Sequence, residues 1–167
     1  MTVAASSLSG VSAAVFEAVR TGDVRPLNDN VKSVEDLEPR DENGQTPLHV
    51  AATIGEAAIG AYLVELGADP NVQDPRGDTP LHLAARHRHR LVASMLLWGG
   101  AKTELTNNLK NTPLHDAVLA DNRDVAWLIV ENGGDRSAKT PNAEGLTPLD
   151  IARARGNAEV IEVLESA

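Results

Sequence analysis

The chain has 167 residues and a mass of 17.7 kDa, which suits one domain of ordinary size. Hydrophobic residues make up 42% and aromatic residues 2%, so Leu, Val, Ile and Ala must build the core, which favours thin, closely stacked layers. The formal net charge of -9 disfavours nucleic-acid binding through the overall field, and the absence of cysteine excludes disulfides, thiolate metal sites and cysteine nucleophiles.

The N-terminal segment, MTVAASSLSGVSAAVF, has no Lys or Arg before its weakly hydrophobic stretch, which is not typical of a secretory signal. We predict a flexible tail over residues 1–11 that leads into a helix. No apolar run in the sequence reaches the roughly 18 residues that a membrane span needs. A cytoplasmic location follows by default, with the nucleus as the alternative.

A tetrapeptide recurs along the chain at a nearly constant spacing. Thr46-Pro47-Leu48-His49 occurs again at positions 79–82 and 112–115, with the same interval each time. A fourth copy, Thr-Pro-Leu-Asp at 147–150, comes two positions later than this interval predicts, so two extra residues lie between positions 136 and 142. The glycines at 67, 100 and 133 keep the same period. Four copies in near register indicate a repeat architecture.

The period of about 33 residues and the Thr-Pro-Leu-His signature resemble the ankyrin repeat, and the copy DENGQTPLHVAATIGEAAIGAYLVELGADPNVQ matches it best. The resemblance implies an all-α ankyrin-repeat solenoid of stacked helix-turn-helix units joined by hairpin-like loops. We predict a single domain over residues 12–167, with an N-terminal capping unit at 12–40, repeats at 41–73, 74–106 and 107–141, and a C-terminal capping unit at 142–167. The initial Met and both caps favour a complete chain.

The residue types within a repeat also account for its turns and helix ends. Asp41 can accept hydrogen bonds from nearby backbone N–H groups, and Gly44 tolerates a positive φ. Thr46 can cap a helix whose first turn accepts Pro47, because the first turn needs no backbone N–H from proline. Gly55 is expected to end this first helix before a second, outer helix begins.

Three histidines, His49, His82 and His115, look at first like a metal site. The resemblance instead implies that each makes a hydrogen bond between neighbouring loops, one repeat apart and too far to share an ion. His87 and His89 form only an i, i+2 pair without a third ligand. The sequence contains no convincing Ser-His-Asp set, phosphate loop or HExxH motif. We therefore predict no enzyme activity, no cofactor and no metal.

Candidate partner contacts come from the surface that ankyrin proteins typically use, which is the concave side made by hairpin tips and the first helices. The resemblance places Arg76, Leu109 and Asn111 at the tips, and Ile54 and Leu119 at the ends of first helices. The three apolar residues stand where solvated side chains are expected. They either form the floor of a groove or are isolated exposed residues, which are common on proteins.

The strongest local anomaly is a basic run, Arg86-His87-Arg88-His89-Arg90. Residues 74–106 hold five Lys or Arg against three Asp or Glu, a net charge of +2, whereas every other unit is negative. Arginine suits the recognition of carboxylates or phosphates, which favours partner contact. Alternatively, these charges pair with acids of the adjacent repeats, such as Glu56, Asp121 and Asp124.

Several residues depart from the repeat pattern. Arg88 and Asp121 stand where other copies have the turn glycine, and Lys110 stands where the previous copy has Gly77. Asp116 replaces an apolar residue next to the histidine of the tetrapeptide and needs a buried partner. These departures represent either drift or a customised contact surface. Trp98 and Trp127, on or after second helices, are expected to stack against neighbouring helices, although Trp is common among interface hot spots.

We predict a non-catalytic protein–protein interaction module that presents a concave surface to a partner protein and is monomeric in isolation. Its main contacts are assigned to Ile54, Arg76, Arg86, His87, Arg88, Arg90, Leu109, Asn111 and Leu119. The alternative is an acidic inhibitory or masking protein that covers a basic segment of an enzyme or DNA-binding factor. Phosphate or nucleic-acid binding by the basic run ranks third, because the net charge opposes it.

Overall fold

The computed structural model describes residues 10–165, and the side chains of all of these except residues 135 and 136. This part of the chain is helical and contains no β-strand. The helices are α1 (Gly10–Thr21), α2 (Arg25–Asn30), α3 (Pro47–Ile54), α4 (Ala57–Glu65), α5 (Pro80–Arg86), α6 (Arg90–Trp98), α7 (Pro113–Leu119), α8 (Arg123–Ile129), α9 (Asp135–Ala138), α10 (Pro148–Arg155) and α11 (Ala158–Glu165). A 3-10 turn covers Val34–Leu37.

The helices form two layers. The first helices of successive units, α3, α5, α7 and α10, pack side by side, and so do the second helices, α4, α6, α8 and α11. Each first helix also packs on the second helix of its own unit, while α1 packs on α2, α3 and α4 at the N-terminal end. The predicted all-α solenoid of stacked helix-turn-helix units is therefore confirmed.

The core repeats along the stack in the same way as the sequence. Leu48, Leu81 and Leu114 occupy equivalent positions on three successive first helices and are completely or almost completely buried. Ala51 and Ala84 lie one helical turn further along and are also fully buried. Their small side chains allow neighbouring helices to approach closely, so a core with few aromatic residues still packs well.

Each first helix is tied to the tip of the next repeat by its histidine. Thr46 is the N-cap of α3, and its backbone N–H donates to Nδ1 of His49 at 3.3 Å. With Nδ1 accepting, the proton lies on Nε2, which donates to the carbonyl oxygen of Asp78 at 3.0 Å. The predicted bridging role is therefore confirmed, and the later histidines repeat it at 2.9 Å from His82 to the Asn111 carbonyl and 3.1 Å from His115 to the Leu146 carbonyl.

The predicted turn glycines have positive φ, and so do the residues that replace them. Gly55 and Gly77 have φ of +90° and +77°. Within residues 10–165, three residues other than glycine also have positive φ: Arg88 at +65°, Lys110 at +57° and Asp121 at +51°. The repeat backbone therefore imposes the same left-handed turn whether or not the sequence supplies glycine.

The structure adjusts the predicted N-terminal boundary and locates the two extra residues of the third repeat. The predicted tail at residues 1–11 lies mostly outside the described residues, but Gly10 and Val11 belong to α1, so the helix begins inside that range. The two extra residues of the third repeat coincide with the one-turn helix Asp135–Ala138, which follows a wide turn at Val130–Gly134.

Candidate partner-binding surface

Two adjacent clefts lie on the side of the stack formed by the hairpin tips and the first helices. Their volumes are about 480 and 350 Å³. Leu109 and Leu119 line both clefts and are 65% and 42% exposed, and Leu146, which is 39% exposed, extends the apolar floor into the second. We call the two clefts together the tip groove, whose principal side chains are Arg76, Arg86, Leu109, Leu119, Leu146 and Arg155.

The tips that carry these leucines are locked to one another. Oδ1 of Asn107 accepts from the backbone N–H groups of Leu109 and Asn111 at 3.0 and 3.1 Å, which closes the tip of the third repeat. The backbone N–H of Asn108 donates to the Arg76 carbonyl at 3.0 Å, so this tip is fixed to the preceding one. The Leu109 carbonyl in turn accepts from the next tip, at 2.9 Å from the N–H of Ala143.

Arg86 forms the wall of the first cleft through an ionic cluster. Its guanidinium donates to both carboxylate oxygens of Asp78 at 2.8 and 3.0 Å, and to Asp116 at 2.6 Å. The Asp78 and Asp116 side chains are 2% and 4% exposed, whereas that of Arg86 is 36% exposed. The sequence indicates that Asp116 needs a buried partner, and the structure identifies Arg86 as that partner.

The two carboxyl groups of this cluster respond differently to their surroundings. Burial opposes ionisation of Asp78, but hydrogen bonds from Arg86 and Asn107 outweigh it and hold its pKa below the usual value. Burial raises the pKa of Asp116 to about 6, although the Arg86 guanidinium opposes that shift. The cluster therefore has one firmly ionised carboxylate and one that titrates near the lower end of the physiological pH range.

The two aspartates and a neighbouring histidine have the ligand atoms to hold a cation. These atoms of Asp78, His82 and Asp116 lie within 4.8 Å of one another. The Arg86 guanidinium already contacts both carboxylates. Both ring nitrogens of His82 are engaged with backbone groups. A cation would have to displace these partners, so the geometry favours a structural ion pair. The grouping is not apparent from the sequence, because only the stacking of the third repeat on the second brings Asp116 next to Asp78 and His82.

The structure brings five of the nine predicted contact residues together in the tip groove: Arg76, Arg86, Leu109, Asn111 and Leu119. Ile54 is 45% exposed at the end of α3 but lines neither cleft. His87, Arg88 and Arg90 are exposed, and the two arginines line a separate depression of about 200 Å³ beside Gly55. The predicted set is thus divided between a groove and the turns next to it.

Asn111 exposes less of its surface in the groove than the sequence suggests. Asn111 is 6% exposed, its carbonyl accepts from His82, and its Oδ1 accepts from Nδ2 of Asn142 at 3.1 Å. The side chain therefore supports the floor between two tips and offers little surface to a partner. Arg86 is limited in the same way, because its guanidinium is already held by Asp78 and Asp116.

The alternative that the basic run pairs with acids of adjacent repeats is confirmed for Arg86, which pairs with Asp116 of the third repeat as well as with Asp78 of its own. Asp121 pairs with Arg155 at 2.7 Å, and this contact holds the pKa of Asp121 at about 2. His89 donates from Nε2 to the carbonyl of Thr53 at 3.0 Å, with its Nδ1 side close to Gly55. Arg88 also helps to lower the pKa of Asp121 through its charge, but neither Arg88 nor Arg90 makes an ion pair among the described side chains, and both are exposed to a partner.

A family model described as ankyrin repeats in three copies matches residues 15–107 and 92–166. The chain belongs to the ankyrin-repeat family. The matched residues include the tip groove and the Thr-Pro-Leu-His helix starts, so the sequence-based resemblance is confirmed. Ankyrin repeats are protein-interaction modules, and a protein partner is the expectation for this chain.

The curated relatives give a more specific comparison over a shorter length. The chain is 46% identical over 57 residues to protein phosphatase 1 regulatory subunit 27 of Mus musculus and to the Homo sapiens protein of the same name. The match covers 34% of this chain and 37% of each relative. Both names describe regulatory subunits, which agrees with a binding role for ankyrin repeats.

The outer side of this ankyrin stack contains a surface that sequence reasoning missed. The expectation that Trp98 stacks against neighbouring helices is wrong, because the residue is 89% exposed. Leu91, on the same helix, is 73% exposed. The i, i+7 spacing of these two residues is a signal that could have revealed a common face. None of the helices within residues 10–165 combines the length and apolar character needed to cross a membrane.

Proposed function

We propose that this chain is a non-catalytic protein-binding module whose tip groove is the concave surface that receives a segment of a partner protein. The observation that carries the proposal is the exposure of Leu109, Leu119 and Leu146 along two adjacent clefts. Isolated exposed leucines need no explanation, but three on one continuous floor are typical of an interaction site. The proposed location is the cytoplasm.

The geometry also suggests what kind of segment fits. An apolar stretch of the partner would lie on the leucine floor, while an acidic stretch would meet Arg76 at the tip and Arg88 on the adjoining turn, both of which are exposed. The backbone hydrogen bonds between successive tips keep these groups at fixed spacing before binding. A preorganised surface of this kind loses little conformational entropy on association.

The test is affinity capture from native extract at physiological salt, with bound proteins identified by mass spectrometry. We compare the wild type with a Leu109→Glu, Leu119→Glu variant, and use Ala13→Glu, on the exposed face of α1, as the control for added charge. The captured amount of a groove-bound partner should fall more than about tenfold with the double variant and remain unchanged with the control. A partner retained equally by all three proteins rules out the tip groove as its site.

Arg76→Glu separates the charged contribution from the apolar one. Arg76 is exposed and its side chain makes no ion pair within the described residues, so the change should leave folding intact. We expect a several-fold loss of the same captured partner that is smaller at high salt, because the contact is electrostatic. Arg86→Glu is unsuitable here, since it removes the counter-ion of two buried aspartates.

A second candidate function is inhibition or masking, in which acidic units cover a basic segment of an enzyme or DNA-binding factor. The regulatory-subunit names of the two relatives favour it, although the match covers about a third of either chain. Glu42 and Glu144 are exposed at hairpin tips and offer the acidic contacts. Under this function, reversal of Glu42 and Glu144 to Lys abolishes capture, whereas Arg76→Glu has little effect.

A further inference from the structure

The outer layer of the stack carries an apolar surface that the proposed function does not use. A groove of about 520 Å³ lies between α4 and α6, and Val64, Leu91, Met95 and Trp98 provide its apolar lining. We call these four residues the outer patch. Trp98 and Leu91 are its most prominent members, at 89% and 73% exposed. A tryptophan so exposed beside an apolar groove is unfavourable in water and favours burial by a second surface.

Charges of opposite sign lie at the two ends of this surface. Arg90 and Arg123 begin α6 and α8, whereas Glu65 ends α4 and Glu131 follows α8. All four of these residues are exposed, and their side chains make no ion pair or hydrogen bond among the described side chains. Asp124 in the first turn of α8 and Glu56 at the N-cap of α4 lie at the same end as the two arginines, so the contrast rests on Arg90 and Glu65 and not on the net charge of the two ends. The second helices of successive repeats run in the same direction, so Arg90 and Glu65 are separated along the length of the helices, with the outer patch between them.

These charges oppose the dipoles of their own helices. A helix favours acidic groups at its first turn and basic groups at its last turn, and an exposed charge of the wrong sign at either end destabilises the helix. Arg90 opens α6, whose first turn contains no acid, and Glu65 closes α4, whose last turn contains no base. Helix stability therefore does not account for this arrangement, which points to a contact outside the chain.

We propose that the outer patch binds a second copy of this chain in an antiparallel, two-fold arrangement. In that arrangement Arg90 of each copy lies opposite Glu65 of the partner subunit. The two-fold axis therefore relates two equivalent ion pairs. Trp98 and Leu91 of the two copies pack together at the centre. The same surface is complementary to itself only when the helices are antiparallel, because a parallel pairing places like charges together.

The size of the surface indicates a weak dimer. Each tryptophan can bury about 150–250 Å² on association, and two copies of Trp98 and Leu91 form a small apolar centre. This is less than a standard stable interface, so we expect a dissociation constant on the order of 0.1 mM. The monomer that the sequence predicts is then the main species in dilute solution, and the dimer forms at high local concentration.

Sedimentation equilibrium from about 10 μM to 1 mM tests self-association directly, since this range brackets the expected dissociation constant. The average mass of the wild type should rise from 17.7 kDa towards twice that value. Trp98→Ala should weaken association more than about tenfold, because it removes the central contact from both copies. Leu109→Glu, in the tip groove, is the matched control and should associate like the wild type. A wild-type mass that stays at the monomer value throughout overturns the proposal.

Charge reversal tests the antiparallel arrangement. Arg90→Glu alone places two acids together at both ends of the dimer, and Glu65→Arg alone places two bases together, so each variant should associate several-fold more weakly than the wild type. An equimolar mixture of the two variants restores an oppositely charged pair at each end and should recover association to within about twofold of the wild type. Failure of the mixture to recover excludes this arrangement.

The same variants separate docking from folding. Arg90→Glu and Glu65→Arg each replace a charge that opposes its helix dipole by one that the dipole favours, so each monomer should unfold at the same or a higher temperature. Weaker association together with unchanged or greater thermal stability identifies the residues as docking groups. Lower thermal stability in step with weaker association shows that they act through the fold and contradicts the proposal.

Discussion

At the scale of single residues, a buried ionic cluster joins the second and third repeats. Asp116 stands where three other copies have Val50, Leu83 and Ile151, and its charge is accommodated by Arg86 of the preceding repeat. The same guanidinium neutralises Asp78. Loss of one partner from such a cluster leaves buried charge without compensation, which destabilises the folded state.

Arg86→Met should therefore lower the free energy of unfolding by about 2–3 kcal/mol, less than for a fully buried cluster because the Arg86 side chain is 36% exposed. Arg90→Met is the control, and it should change stability by less than about 0.5 kcal/mol since Arg90 makes no ion pair within the described residues. Urea unfolding at pH 7 measures both. Equal effects of the two changes would show that the cluster contributes nothing to stability.

The left-handed turns provide a second residue-scale test. A Cβ on Gly44 would lie 2.5 Å from Pro75 Cγ, and one on Gly77 would lie 2.8 Å from Asn108 Oδ1, so these tips require glycine. Lys110 occupies the equivalent position of the third repeat and carries a side chain there. Lys110 still has φ of +57°, a conformation unfavourable for any residue with a Cβ.

Lys110→Gly and Arg88→Gly should each stabilise the protein by about 0.5 kcal/mol, because relief of the left-handed strain exceeds the greater freedom of glycine in the unfolded chain. Asp121→Gly relieves the same strain but removes hydrogen bonds to Arg155 and Asn157, so it should not stabilise. Thermal unfolding compares the three variants. Destabilisation by the first two changes would mean that their side chains make contacts that outweigh the strain.

At the scale of helices and tips, the histidines couple each repeat to the next and make the coupling sensitive to pH. Nδ1 of His82 accepts from the N–H of Thr79, and its Nε2 donates to Asn111, so the ring must be neutral. Burial lowers the pKa of His82 to about 4, against a hydrogen bond and nearby acids that raise it. The pKa of His49 and that of His115 are also lowered, chiefly by burial.

Stability should fall as the pH drops from about 6.5 to about 4, because the unfolded chain binds the proton of His82 before the folded chain does. The full effect of this one group is about 3 kcal/mol. Asp116 acts in the opposite sense below its pKa of about 6, since there the folded state binds a proton before the unfolded state.

His82→Gln isolates the histidine contribution, because Asp116 is present in both proteins. The variant should be less stable at neutral pH, where the bridge is lost. Its free energy of unfolding should also decrease less than that of the wild type between pH 6.5 and about 4. Denaturant titrations across this range measure both quantities, and parallel pH curves for the two proteins would contradict the assignment.

At the scale of the whole molecule, the stack presents two surfaces on opposite layers. The tip groove belongs to the hairpin tips and first helices, whereas the outer patch belongs to the second helices α4 and α6. Since different layers carry them, binding of a partner and pairing with a second copy need not exclude each other. Dimerisation would then place two tip grooves in one assembly and increase avidity for a repeated or dimeric partner.

The two surfaces should respond to mutation independently. Leu109→Glu with Leu119→Glu should abolish partner capture without changing self-association, and Trp98→Ala should weaken self-association without changing capture from dilute extract. The distance between the sites makes their effects additive. Capture and sedimentation on the same four proteins, the wild type, both variants and their combination, provide the measurement, and a variant that impairs both activities would indicate one shared site.

The amino-acid sequence determines the architecture of this protein because the signals that build it are local. Each repeat contains the same local signals: a Thr-Pro helix start, Asp or Asn at the tip, turn residues and buried leucines. These signals specify the local structure of each repeat by themselves. The leucine positions of the groove are predictable from the same register. Only the tertiary structure decides which side chains are free: it places Arg86 against Asp78 and Asp116, buries Asn111 and exposes Trp98. These outcomes depend on neighbours that are distant in sequence, because their positions follow from the stacking of one repeat on the next.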